Sequence, residues 1–322
     1  MRGTSLALLA AAVISLCPLS APAADHAPVT ISIPTAAATG TIYPIGAALG
    51  SLWSSRIPYV RASVQSSKGG VQNLQLLSTG EAQVGFAITS ITYQAMKGLD
   101  KFKGHEYPGV RILAGLYFNP NHVVARANSN VSGIRDLRGK RFAPGVVGGT
   151  TIGETAAHFA AAGLSYPGDI KPQFVGPAEA GDLMRNRQID GAWIMAGMPN
   201  AAVSEMCATA GGKLVPIGDD IIAALKKEHP WYASCTIPAG TYPNQTEAVQ
   251  TSGVKLALIT DSRLPDDVVY DLTKCLWENL ETVRSAHAVL KDISPEGAVS
   301  DLAGIPLHPG AEKYYREVGA IK

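Results

Sequence analysis

Residues 29–46 read VTISIPTAAATGTIYPIG and decide the fold class. The first five are rich in β-branched residues and end at Pro34, which predicts a short strand. A loop of small residues follows. A helix is expected to open near Thr41, because Pro44 then falls in the first turn, where proline is tolerated. The stretch is therefore one strand–loop–helix unit.

Two more such units follow directly. Val60–Gln65 alternates like a strand, Ser66–Gly70 is a polar loop, and a second helix comes next. In the third unit, Ala82–Ile88 is the strand, Thr89-Ser90 the turn, and Ile91–Lys97 the helix. Such alternation predicts a mainly parallel sheet with crossover helices, the α/β class.

A second lobe repeats the pattern. Lys140–Ala143 is predicted as a strand, Gly145–Gly149 as a glycine-rich turn, and Ile152–Ala162 as a helix. Lys171–Gly176 and Ala192–Ala196 are predicted as further strands, each followed by a helix. The second lobe is therefore expected to have the same construction as the first.

Two β-rich stretches connect the lobes. Arg111–Arg126 is long enough to cross from one lobe to the other, and Thr236–Thr260 is predicted as the return crossing. The predicted division gives residues 24–120 and 240–322, with the C-terminal helices, to the first lobe, and residues 121–239 to the second. Two βα lobes joined by crossing strands enclose a ligand cleft between them.

Residues 1–23 are predicted to be a cleaved secretion signal. Arg2 is a short positive segment, Leu6–Leu16 is an apolar run, and Ala21–Ala23 supplies the small residues that signal peptidase recognises. The apolar run is shorter than the roughly 20 residues of a membrane span. Leu16 stands before Cys17 where a lipoprotein has a small residue. The protein is therefore expected in the periplasm.

Composition and motifs exclude several functions. Lys+Arg number 27 and Asp+Glu 26, so the basic excess that nucleic-acid binding needs is missing. The sequence has no GxSxG, HExxH or CxxC motif, and its seven histidines lack metal-ligand spacing. We predict no catalytic residue, no metal and no cofactor, and hence no enzyme. An exported hydrolase or lyase on the same fold would need a nucleophile with a base in reach.

Three cysteines follow the signal. Cys275 falls on the apolar face of a predicted helix and is expected to be a core residue. A Cys207–Cys235 disulfide can form in an oxidising compartment, and this pairing stays open at the sequence level.

The loops after the strands are the candidate ligand site. Ligands of open α/β sheets lie outside the carboxyl ends of the strands, and helix N-termini there favour anions. In the first loop and helix these residues are Thr39, Gly40, Thr41 and Tyr43; in the second lobe they are Gly148, Gly149, Thr150 and Thr151. An ordinary helix cap with a core tyrosine, and a tight turn, are the alternative interpretations. Lys68 is expected to be a solvated surface charge, and His122 a structural histidine.

Eight ordered segments carry a family resemblance over nearly the whole chain after the signal. They are the opening Thr35–Pro44, VQSSKGGVQNLQLL (64–77), GEAQVGFAITSITYQA (80–95), SGIRDLRGKRFAPG (132–145), QIDGAWIMAGMPNAAV (188–203), TIPAGTYPNQ (236–245), LPDDVVYDLTKCLWENL (264–280) and IPLHPGAEKYYREVG (305–319). With these segments the chain resembles the TAXI family of solute-binding subunits of tripartite ATP-independent periplasmic (TRAP) transporters.

This resemblance implies a two-lobed, type II-like periplasmic-binding-protein fold that closes on its ligand. It implies capture of a small organic anion, such as 2-oxoglutarate or a glutamate-like carboxylate. It also implies transfer to a TRAP permease with a small and a large membrane subunit, often fused, and a monomeric binding protein. By position, the residues that match the family's binding loops are Thr39, Gly40, Tyr43, Ser67, Gly69, Asn73, Ser90, Gly148, Thr151 and Gly197.

The chain departs from the family pattern in its first and third loops. Ala36-Ala37 stands in place of a glycine pair, Ile42 in place of an aromatic residue, and Thr89-Ser90-Ile91 in place of Gln-Ser-Asp. If the missing acidic group holds a ligand ammonium, the expected ligand is a carboxylate without an amino group. A subunit of an ABC-type importer and the input of a two-component sensor remain alternatives.

Overall fold

A computed structural model describes residues 26–36, 38, 41–147 and 149–322. The predicted signal, residues 1–23, lies outside the described residues, as do the candidate site residues Thr39, Gly40 and Gly148. Within the described ranges, no helix combines the length and the apolar character needed to cross a membrane.

The strands and helices alternate over most of the chain. The strands are β1 (Val29–Pro34), β2 (Val60–Gln65), β3 (Val84–Ile88), β4 (Val110–Arg126), β5 (Arg141–Ala143), β6 (Lys171–Pro172), β7 (Gly191–Met195), β8 (Gly212–Val215), β9 (Tyr232–Ile237) and β10 (Val249–Asp261). The helices are α1 (Ile42–Arg56), α2 (Gly70–Thr79), α3 (Thr89–Lys97), α4 (Thr150–Ala161), α5 (Pro177–Arg185), α6 (Ala201–Thr209), α7 (Asp219–Glu228), α8 (Asp266–Glu278), α9 (Leu280–Ser285), α10 (Pro295–Val299) and α11 (Pro309–Glu317).

The first three strand–helix units form one body. Strands β1 and β2 pair in parallel from Val29↔Val60 to Pro34↔Gln65. The edge of β1 also meets the start of β3, where the Gln83 N–H donates to the Ser32 carbonyl at 3.2 Å. The carboxyl ends of these strands therefore lie together.

Long strands β4 and β10 make the two crossings. The first agrees with the predicted Arg111–Arg126, whereas the return crossing begins at Val249 and not at the predicted Thr236, because Thr236 belongs to β9, which pairs with β10. Strands β4 and β10 run antiparallel from Gly253↔Pro120 to Asp261↔Val110, with two register shifts. Strand β3 adds to β10 in antiparallel fashion, and β7 and β8 add to β4 in the same way. The expectation of a mainly parallel sheet is therefore wrong for the larger sheet, because each crossing strand continues into a lobe and pairs with strands running the other way.

The buried core divides at the crossing. Two clusters draw on residues 31–116 and 256–315, and two others draw on residues 123–254. We call the first body lobe I (residues 26–118 and 255–322) and the second lobe II (residues 119–254). The return crossing packs with lobe II as far as Val254, whereas the division proposed from the sequence places the boundary at residue 240. The predicted two-lobed α/β architecture is confirmed.

Local differences from the sequence predictions are small and have clear causes. Thr89 and Ser90 are not a turn but the first residues of α3, since the chain passes from strand to helix without a loop. Strand β6 has two residues, not the predicted Lys171–Gly176. Strand β8 and helix α7 were not predicted.

The structure has Cys207, Cys235 and Cys275 as free thiols, so the Cys207–Cys235 disulfide left open by the sequence is not formed. Cys275 is buried on α8, as predicted. Burial raises the pKa of the Cys207 thiol to about 11 and that of Cys235 to about 12.

We expect three thiols to react with a thiol reagent when the chain without residues 1–23 is unfolded in the absence of reductant. In the folded protein the reaction should be slow, because raised pKa values leave little thiolate at neutral pH. Finding a single reactive thiol in the unfolded chain would mean that Cys207 and Cys235 pair in solution.

Candidate functional site

One asparagine fastens the loops after β1 and β2 to strand β3. Asn73, on α2, is fully buried, and its Nδ2 donates to the carbonyls of Thr35 and Phe86 at 2.8 Å each. The Ser67 hydroxyl donates to Asn73 Oδ1 at 2.7 Å and accepts the Gly69 N–H at 3.0 Å. Asn73 therefore positions these two loops and strand β3 from below, while Ser67 and Gly69 are partly exposed at the surface.

The first turns of α1 and α3 lie at the same end of lobe I. Thr41 precedes α1 and Tyr43 is in its first turn, both half-buried. Thr89 and Ser90 open α3 and are buried. Among the described residues, no group pairs with the Thr89 hydroxyl.

The matching turn in lobe II leads from β5 into α4. Gly145 has φ +114°, and a Cβ there would lie 2.9 Å from Thr151 Cβ, so the tight turn requires glycine. The Thr155 hydroxyl donates to the Pro144 carbonyl at 3.1 Å and ties α4 to this turn. Gly149 and Thr151 are half-buried and Thr150 is exposed at the helix start.

Gly197 follows β7 and meets lobe I. A Cβ at this position would lie 3.1 Å from Val289 Cγ1 and 3.2 Å from the Tyr117 ring. Strand β7 runs antiparallel to β4, so its carboxyl end points toward lobe I. The loop that starts at Gly197 is therefore a contact between the lobes.

The helix N-termini of the candidate site differ from the others in charge. Among the described residues, α1, α2, α3 and α4 have neither an acidic residue in the first turn nor a side-chain cap. Asn200 caps α6 by accepting the N–H groups of Ala202 and Val203. The remaining helices have acidic residues in their first turns: α5 (Glu179), α7 (Asp219, Asp220), α8 (Asp266, Asp267), α9 (Glu281), α10 (Glu296) and α11 (Glu312). Within the described part of the chain, the positive helix ends left without compensation are the four that follow β1, β2, β3 and β5.

A cavity of about 630 Å³ lies between the lobes against the crossing strands. Its lobe I wall includes Leu116, Phe118 and Val289, and its lobe II wall includes Met198 and Pro199. None of the predicted site residues that the structure describes lines the cavity, but Gly197 adjoins it through Met198 and Val289.

A buried polar cluster joins α4 to both crossing strands. Asn121 Nδ2, on β4, donates to Glu154 Oε2 and to Ser252 Oγ, both at 3.1 Å. The Trp193 indole N–H donates to Asn121 Oδ1 at 2.8 Å. His158 Nδ1 donates to the Glu154 carbonyl at 2.6 Å, and the Ser252 hydroxyl contacts His158 Nε2 at 2.5 Å. We call these residues the junction cluster.

Burial sets the charge states of the junction cluster. It raises the pKa of Glu154 to about 7, although hydrogen bonds from Asn121 and Tyr232 partly oppose the shift. It lowers the pKa of His158 to about 4, so this imidazole is neutral at pH 7. The cluster thus holds α4 by hydrogen bonds between mostly uncharged groups.

His122 is structural, as predicted. Its Nδ1 donates to the Ile194 carbonyl at 3.2 Å, and its Nε2 accepts the Tyr242 hydroxyl at 2.7 Å. Burial lowers its pKa to about 4. Lys68 is exposed, also as predicted.

Sequence reasoning did not identify Glu154 and His158. Both stand on the inner face of α4, four residues apart, beside the apolar Phe159. That spacing of polar residues on a buried face is the signal that could have shown them. Within the described part of the chain, no group of His, Cys, Asp and Glu residues is arranged to hold a metal ion.

A family model described as "NMT1-like family" matches residues 33–319. The chain belongs to the NMT1-like family. The match spans both lobes, both crossing strands and the loops of the candidate site, so membership applies to the entire two-lobed unit.

Solved structures share the fold of this NMT1-like protein at low identity. A TctC solute binding protein from Polaromonas is similar at 14% identity and TM-score 0.55, covering 93% of this chain and 100% of that one. The periplasmic aliphatic sulphonate binding protein SsuA from Escherichia coli is similar at 16% identity and TM-score 0.50, covering 90% of this chain and 84% of that one. A Xanthomonas citri protein bound to ATP is similar at 10% identity and TM-score 0.51, covering 89% of this chain and 98% of that one. These similarities establish the two-lobed binding-protein fold.

Proposed function

We propose that this protein is a periplasmic solute-binding protein that captures a small organic anion between its lobes and delivers it to a membrane transporter. The observation that carries the proposal is the set of uncompensated helix N-termini. Free N–H groups and the helix dipole make such termini anion sites. The other described helices neutralise or cap theirs, so the four exceptions mark where a ligand supplies the negative charge.

The topology supports a site shared by these termini. Asn73 and Ser67 hold the loops leading into α1 and α2 and the strand leading into α3 in one surface of lobe I. The α4 terminus follows β5, which is parallel to β7 and so points toward lobe I. Two lobes connected by crossing strands can close around a ligand by hinge motion. Arginine is not needed for this kind of anion binding.

The finer assignment rests on the sequence resemblance. The TAXI-like segments favour a TRAP permease and an ion gradient, and they favour a carboxylate ligand without an amino group. The solved structures of similar fold include a TctC solute binding protein and the sulphonate-binding SsuA. An ABC-type importer is therefore the second candidate. Uptake into vesicles containing the permease decides between them: an ion gradient suffices for TRAP transport, and ATP is required by an ABC importer.

Thermal unfolding with a panel of small mono- and dicarboxylates and sulfonates tests the capture of an anion. An anion at 100 times its dissociation constant should add about 2.7 kcal/mol to the free energy of unfolding. The protein should first be unfolded, dialysed and refolded, so that a ligand retained from expression is removed. If no anion of the panel stabilised the refolded protein, the proposal would be contradicted.

Thr150→Glu should weaken anion binding by at least about tenfold, because the new carboxylate occupies the positive end of α4. The free energy of unfolding should stay the same or rise by about 0.3–1 kcal/mol, since a negative charge suits a helix N-terminus. Calorimetric titration and urea unfolding measure the two effects.

Thr150→Gln is the matched control, with a side chain of the same length and no charge. It should bind anions within about twofold of the original protein. Equal losses in both variants would point to steric damage. Unchanged binding in Thr150→Glu would place the anion away from α4.

A further inference from the structure

We propose that the captured anion carries an apolar body, a medium-length chain or a single aromatic ring, which enters the cavity between the lobes. This inference rests on the proposed function and adds the substrate class. The cavity, of about 630 Å³, falls in the range of small-ligand sites.

The walls of the cavity are mainly apolar and come from both lobes. Leu116, Phe118, Val289 and Ile293 belong to lobe I, and Met198 belongs to lobe II. Pro199 and Pro238 extend the lobe II wall. An apolar body held here would touch both lobes, so its burial would favour the arrangement in which they are close.

Among the described residues of the wall, one charged side chain, Lys255, is buried, and its hydrogen bonds are already made within the protein. Lys255 is 2% exposed, and its Nζ donates to the carbonyls of Gly297 and Ser300 at 2.7 Å each, and to Ser300 Oγ at 3.2 Å. It also lies 4.7 Å from the centre of the Phe118 ring. This ammonium group has its full set of three acceptors, so it offers nothing to a second carboxylate.

The other charges on the wall do not select a charged ligand end. Lys291 and Asp292 are neighbours of opposite sign, and both are exposed. A dicarboxylate would therefore bury its second charge here against apolar groups, at a large desolvation cost. The cavity suits a body without charge.

One residue of the candidate site, Gly197, adjoins the cavity. Gly197 belongs to the loop at the carboxyl end of β7, and the next two residues, Met198 and Pro199, line the cavity. The space a Cβ at Gly197 would need is taken by Tyr117 and Val289, which also line it. A ligand with its charged head at the helix N-termini can thus extend its other end along this loop into the cavity.

A chain-length series tests the inference: acetate, butanoate, hexanoate and 3-phenylpropanoate, with succinate and glutarate as dicarboxylates. Each buried methylene should tighten binding about fourfold, so hexanoate should bind at least about tenfold tighter than butanoate. Titration calorimetry on the refolded protein gives the constants. Equal affinity along the series, or dicarboxylates that bind tightest, would overturn the inference and leave anion capture standing. No binding by any of them would contradict the proposed function itself.

Two substitutions at Val289 change the cavity without touching the helix N-termini. Val289→Phe fills space in the cavity and should weaken the binding of 3-phenylpropanoate at least about fivefold. The affinity for acetate should stay the same. Val289→Ala enlarges the space and should shift the preference toward the bulkier anion, which keeps the test valid if the larger residue impairs folding. Thr150→Glu should weaken the binding of acetate and of hexanoate by the same factor. If hexanoate bound to Thr150→Glu as tightly as to the original protein, the cavity would be an apolar site independent of the anion site. That result would contradict the inference.

Discussion

Replacing Asn73 by leucine is expected to lower the free energy of unfolding by about 3 kcal/mol and to abolish ligand binding. The side chain is fully buried and makes three hydrogen bonds, to Thr35, Phe86 and Ser67. Leucine is close in size but leaves buried carbonyl and hydroxyl groups without this partner, and each such group costs about 1–3 kcal/mol. Urea unfolding at constant slope measures the loss.

The loss of binding follows from the place of Asn73 under the two loops and strand β3. Without it, the starts of α1, α2 and α3 are no longer held in one surface. Ser67→Ala removes the hydroxyl that donates to Asn73 and accepts the Gly69 N–H. It should cost about 1–2 kcal/mol and weaken binding without abolishing it. Asn128→Leu, at an exposed position, is the control and should change stability by less than about 0.5 kcal/mol. If Asn73→Leu unfolds at the original urea concentration, the fastening role is wrong.

Glu154→Gln is expected to change how stability depends on pH. The pKa of Glu154 is about 7 in the folded protein, against an ordinary value of 4.5. A raised folded pKa contributes stability that is complete below pH 4.5 and is lost as the pH rises to about 7. Glutamine does not titrate. The free energy of unfolding of the variant, relative to that of the original protein, should therefore rise by about 3 kcal/mol between pH 4.5 and pH 7.5.

Two buried histidines act in the opposite direction in nearly the same pH range. His122 and His158 have pKa values lowered to about 4, so the stability they contribute is present above pH 6.5 and lost as the pH falls toward 4. Both are present in the two proteins compared, and their contribution cancels in the difference. Glu247→Gln, at an exposed site, should show no such pH-dependent gain. A flat difference for Glu154→Gln would mean that Glu154 is ionised in the folded protein.

The fold could be predicted from the sequence because its decisive elements are local. Val29–Pro34 and Val60–Gln65 are β-rich runs bounded by loops, and their bounds agree with the structure. The long crossing at Val110–Arg126 was also predicted from its β-rich composition. The direction of the strands in the larger sheet could not be predicted, because the pairing of β4 and β10 joins residues far apart in the chain and leaves no local pattern.

The candidate site was predictable only in part. The loops at the strand ends follow from the α/β pattern, and their neighbouring positions in lobe I follow from the topology. The role of Asn73 could not be foreseen, because a buried asparagine and a ligand-binding one have the same sequence signal. The junction cluster around Glu154 depends on Asn121 and Ser252, which come from separate crossing strands. The anion site as a whole remains a proposal.

The most direct test of anion capture is the response of backbone amides to a ligand. The protein should be labelled with ¹⁵N and deuterium, refolded, and titrated with hexanoate while the amide signals of Gly70, Ser90 and Thr151 are followed. We expect all three signals to shift with one dissociation constant, and none of them to shift at the same hexanoate concentrations in Thr150→Glu. Hexanoate that moves amides elsewhere and leaves these first turns unchanged would contradict the claim that the helix N-termini bind the anion.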